Sequence, residues 1–194
     1  MRPPAEHVHW LFAAGVLFIG LCLLARAIVG VEVWDRRATR AYLWPGLLFT
    51  MGLLMWPVMV LFTNSAIHML AHGLWAQTLM LAGAAHLGLA RGKLTSPYWR
   101  LTLPLGLIVS GAAFLVHEQN GWLWSRSAFV HHAAGWTLIV GALFPLVGTF
   151  RPRLRTLDVG FAITIVALAV IVFSSRDVAT IFGHLSSEAG IPRR

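Results

Sequence analysis

The sequence predicts an all-α fold: a polytopic membrane bundle of about six transmembrane helices, with both termini on the non-cytoplasmic side. Three observations predict it. Of the 194 residues, 58% are hydrophobic and only 11% are charged, where a soluble domain carries roughly 25% charged residues. Mean hydropathy is +0.73. The apolar residues gather in runs of about 20, the length that crosses a bilayer as a helix, and short basic loops separate the runs.

The spans follow in order at 9–30, 43–63, 66–90, 99–117, 127–149 and 157–175. The first run is long enough to span and lacks the strongly basic start of a cleavable leader, so it reads as a helix that stays. The second and third are separated only by Thr63, Asn64 and Ser65, which predicts a tight helical hairpin. The fourth closes on His117 and Glu118, and the fifth opens about a dozen residues later, so these two are expected neighbours. Pro45, Pro57, Pro104 and Pro145 lie in or near spans, which membrane helices tolerate when neighbouring groups satisfy the freed carbonyls. No repeat and no Pro- or Ser-rich linker divides residues 1–194, so one transmembrane domain is expected.

The net charge is +8. In a soluble chain that would suggest nucleic acid; here the bases sit in loops, so they report topology and no nucleic-acid partner is expected. Arg26, Arg36, Arg37, Arg40, Arg91, Lys93, Arg100, Arg151, Arg153 and Arg155 share one side of the threading. Arg2, Arg126, Arg176, Arg193 and Arg194 share the other. Ten against five makes the first side cytoplasmic. A bacterial inner (plasma) membrane is the expected location, with the lipid bilayer as the first partner. The single cysteine, Cys22, excludes an intrachain disulfide and a cysteine-based zinc site.

With that orientation, eight of the nine histidines fall at the outer ends: His7, His9, His68, His72, His117, His131, His132 and His184. Only His86 falls inside. Ionisable side chains near the hydrocarbon are rare unless they are paired or functional. His68 and His72 are four apart and share a helix face. His117 ends one expected span, and His131 and His132 open the next. Adjacent residues point about 100° apart on a helix of 3.6 residues per turn, so one of His131 and His132 should face the bundle. His68, His72, His117, His131 and His132, with Glu118, are therefore the candidate metal ligands. His7, His9 and His184 read as interfacial.

Imidazole suits copper, zinc, iron and nickel, and thioethers favour Cu(I). Met51, Met55 and Met59 recur every fourth residue on one helix face, and Met69 adjoins His68. This stripe is a candidate Cu(I) path, although methionine on a helix face is more commonly core packing. The same histidines suit haem b, with His72 and either His131 or His132 as axial ligands of one outer haem, in a b-type cytochrome subunit exchanging electrons with quinol. A second haem is disfavoured: His86 lies about 21 Å along the axis from His72 and has no histidine partner on its side. A third reading makes the chain a non-catalytic accessory subunit of a larger membrane complex. No Walker motif, GxGxxG, HExxH or serine-nucleophile signature is present.

The segments HMLAHGLWAQ, with His68, His72 and Trp75, and FVHHAAGWTLIVGA, with His131 and His132, resemble small bacterial copper-handling membrane proteins. These are the CopD-like copper-resistance family and the CtaG-like oxidase-assembly family. The resemblance spans 67–150, less than half of the chain. It implies a helical membrane protein with outward-facing histidines that takes up or delivers copper. The expected function is copper binding, uptake or delivery without catalysis, with a periplasmic metallochaperone or a larger membrane complex as a candidate partner.

Overall fold

The structure is a computed structural model, and it describes residues 4–62, 66–117, 126–151 and 154–176. Among these residues every element is helical. The elements are α1 (Ala5–Val29), a short α2 (Val31–Asp35), α3 (Ala38–Phe62), α4 (Ala66–Ala90), a 3-10 turn (Pro97–Leu101), α5 (Thr102–His117), α6 (Arg126–Phe150) and α7 (Arg155–Phe173).

Five stretches are long and apolar enough to cross a membrane: Ala5–Val29, Ala38–Leu61, Pro97–Val116, Ala128–Phe150 and Arg155–Phe173. The expected third span corresponds to α4. It has 25 residues, yet it is not among the five, for it carries His68, His72, Gln77 and His86. α3 begins at Ala38 instead of near residue 43, because its first turn runs on past the apolar stretch to include Arg40. α2 was not foreseen. Gly30 takes φ 98°, a conformation that side chains with a Cβ rarely adopt, and this turn separates α2 from α1. It brings Asp35 back to Arg26, which binds it through Nε at 3.0 Å and through a second nitrogen at 2.6 Å.

The long helices form a ring. Each packs on the next in chain order from α3 to α7, and α7 returns to α1. α1 and α3 close the ring along its thinnest seam. Small residues permit the tight crossings, as expected where helix association depends on close van der Waals packing. A Cβ on Gly83 would lie 2.7 Å from the Pro45 carbonyl oxygen, and one on Gly111 would lie 2.7 Å from that of Gly135. Pro104 falls in the first turn of α5, where no intrahelical donor is lost. Pro45 and Pro57 lie inside α3 and Pro145 inside α6. Within the ring, Thr78 of α4 hydrogen-bonds Ser110 of α5 at 2.9 Å and donates to the Gly106 carbonyl at 3.2 Å.

Because successive helices run in opposite directions, the starts of α1, α4 and α6 lie at one end with the finishes of α5 and α7. That end holds the histidines.

Candidate metal centre

Three helices each bring one imidazole to the same point: His9 from the second turn of α1, His72 from α4 and His131 from α6. Each offers one ring nitrogen, and the three nitrogens all lie within 4.8 Å of one another. The ring of His131 is 6.0 Å from that of His9 and 6.2 Å from that of His72, at steep angles of 77° and 81°. An imidazole nitrogen binds copper-sized ions at ~2.0–2.1 Å, so two rings on one three- or four-coordinate ion have centres about 5.2–5.5 Å apart. The rings would close by less than about 1 Å to share an ion.

The hydrogen bonds decide which nitrogen is available. His72 Nδ1 faces the His68 carbonyl oxygen at 3.2 Å. A carbonyl only accepts, so Nδ1 carries the proton and donates, and the lone pair lies on Nε2. An anchored second nitrogen of this kind is what orients a metal-binding histidine. His9 Nδ1 lies 3.3 Å from Ser175 Oγ, a contact between the start of α1 and the residue just beyond α7. Phe114 of α5 stands edge-on to both His72 (5.7 Å) and His131 (6.0 Å), and Trp75 packs on Phe114 at 6.1 Å. These rings form an apolar wall on the bundle side.

Of the histidines expected at the site, His72 and His131 are brought together. His68 sits one turn outward on α4, only 5% exposed, its ring parallel to that of His72 at 6.1 Å. It is not one of the three residues in the group. His132 points another way, as adjacency required, and donates from Nδ1 to the Ala128 carbonyl at 2.8 Å. His117 ends α5, but its side chain, like Glu118 and His184, lies outside the described residues.

His9, set aside as interfacial on sequence grounds, is the third member of the group. Its depth was legible, since it opens the first span like the others. Its neighbours were not, for they depend on α7 carrying α1 round beside α6. His7 packs on Trp10 at 5.5 Å, at the outer edge.

Met51, Met55 and Met59 are all buried, and Met69 packs partly buried against the core. The α3–α4 crossing sets Gly52 against Ala76 and Trp56 over Gly73, so Met55 falls near the depth of His72 and Met51 lies deeper. Met51 lines an apolar cavity of about 20 Å³, with Trp75 and Trp44 also in its lining. The space suffices for about one water, but a water needs polar partners that this lining lacks. Below it, Trp44 packs on His86 at 4.7 Å, and His86 Nε2 is buried without a hydrogen-bond partner among the described residues.

No family model, no curated protein and no solved structure matches this chain.

Proposed function

We propose that this chain is a six-span protein of a bacterial inner membrane that binds copper on its non-cytoplasmic side and takes it up or delivers it, without catalysing a reaction. The observation that carries the reading is the convergence of His9, His72 and His131 from three helices. One such ring at a membrane end is explained by the interface; three with facing nitrogens are explained by an ion.

Three imidazoles leave a coordination position open, as in sites that exchange their fourth ligand. An open position suits acquisition and handover, for instance to a periplasmic metallochaperone or a larger membrane complex. His68, adjacent and parallel to His72, is the natural residue for the ion to visit on the way, with His117 and Glu118 as further ligands from the outer end of α5 and the residue after it. Of the pair His131 and His132, the reading takes His131 as the ligand, because His132 is turned to the Ala128 carbonyl. The buried thioethers of Met51, Met55 and Met59, with Met69 at the rim, support copper over zinc, because sulfur selects Cu(I). They form the proposed path inward.

Phe114, edge-on to both His72 and His131, favours a bare ion over haem b between those two rings, since a macrocycle there would need the same space. Metal analysis tests the reading. Purified wild type exposed to copper should retain about one ion per chain, and the His72→Ala, His131→Ala double variant should retain none. A Soret band without copper would replace the reading with the cytochrome one. Equal metal content in both proteins would support the accessory-subunit view.

A further inference from the structure

His9 differs from His72 in what holds it. The Nδ1 of His72 is anchored by a carbonyl one turn earlier on its own helix, so that ring is oriented wherever α4 goes. The anchor of His9 belongs to a different part of the chain. Ser175 follows α7, is 4% exposed, and presents Oγ to His9 Nδ1 at 3.3 Å.

Ser175 itself is closely held. Its backbone N–H donates to the Val172 carbonyl at 3.1 Å. Its own carbonyl accepts from Trp10 Nε1 at 3.2 Å and from the Arg176 guanidinium at 2.9 Å. That guanidinium also donates to the Phe173 carbonyl at 3.0 Å and lies over the Trp10 ring at 5.1 Å. The first turn of α1 has no side-chain cap of its own, so these contacts supply the fixed reference for the start of the helix. The hydroxyl beside His9 thus sits on a rigid frame.

We infer that Ser175 is a positioning residue of the metal centre: it accepts the Nδ1 proton of His9, fixes the tautomer with its lone pair on Nε2, and aims that nitrogen at His72 and His131. This inference rests on the proposed metal-binding function and adds a part to it. The third ligand is competent only while α1 is docked on the end of α7. The hydroxyl is the chemical requirement in this role, and two β-branched variants of equal shape isolate it. Threonine keeps it; valine has threonine's shape without it.

The experiment compares Cu(II) binding by the full chain in detergent for wild type, Ser175→Thr and Ser175→Val, by competition titration and electron paramagnetic resonance. Removing an outer hydrogen-bond partner of a ligating histidine costs about 10- to 100-fold in affinity. Ser175→Thr should bind as wild type with the same spectrum. Ser175→Val should bind about tenfold or more weakly with altered copper hyperfine splitting, while its metal-free melting temperature stays near that of Ser175→Thr. Equal affinity and equal spectra for the two variants would overturn the inference, whatever either does to folding. Failure of wild type itself to bind copper would instead overturn the function on which the inference rests.

Discussion

The two ends of the bundle treat polar groups in opposite ways. At the end of α1 and the start of α7, several charges are settled one at a time. Arg26 pairs with Asp35, Arg155 donates to the Ile28 carbonyl at 2.7 Å, and Arg40 and Arg91 lie over Trp34 and Tyr42. Among the described residues no group of three His, Cys, Asp or Glu side chains placed to share an ion forms there; bases of this kind snorkel and cap at an interface. At the opposite end Arg176 is likewise settled on Trp10, but three imidazoles meet. Cations repel one another and disperse, whereas neutral imidazoles can share an ion. The single imidazole at the first end, His86, abuts Trp44 with no second histidine grouped to it among the described residues.

The contrast breaks most visibly by deleting ligands. His9→Ala should weaken Cu(II) binding by at least about 100-fold by titration, since removing one of three ligands costs more than the 10- to 100-fold of an outer partner. His86→Ala, the same change at the other end, should leave copper affinity within about twofold. Equal losses would erase the distinction between the ends.

The next effect is on pH. Copper binds neutral imidazole and displaces protons, so affinity falls in acid and is recovered as pH rises. Copper retention measured from pH 5 to pH 8 should rise with pH in wild type. It should show no such step in the His72→Ala, His131→Ala variant, which has nothing left to retain.

Packing gives a third comparison, because it does not depend on either end. A Cβ on Gly83 would meet the Pro45 carbonyl and the Phe49 backbone. Gly83→Val should therefore separate α3 from α4, lower the melting temperature and destabilise by about 1–3 kcal/mol, as overpacking does. Circular dichroism of the metal-free protein checks it. The smallest effect is expected at the arginine-rich end. Asp35→Ala removes a bidentate but partly exposed pair, which contributes about 1 kcal/mol or less. The melting temperature should change little and copper binding not at all.

Much of this was legible in the chain and some was not, for physical reasons. Apolar runs are written in sequence, so the helices appear where hydropathy rises. The 66–90 run coincides with the helix α4, although its histidines and Gln77 keep it out of the five stretches apolar enough to cross a membrane. The period of four in Met51, Met55 and Met59 announced a shared face, and that face is buried. The adjacency of His131 and His132 required that they diverge, and they do. Lateral order is another matter. Hydropathy gives depth in the membrane and says nothing about which helix stands beside which. His9 and Ser175 are 166 residues apart, and only the return of α7 onto α1 makes them neighbours. The Gly30 turn and α2 were missed because a positive φ and a five-residue helix leave no periodic trace.

The most direct test of the central claim is X-ray absorption at the copper edge on wild-type protein loaded with one equivalent of copper. The expected first shell holds about three imidazole nitrogens at ~2.0 Å, falling by one in His9→Ala. A first shell made of sulfur, or one unchanged by His9→Ala, would contradict it.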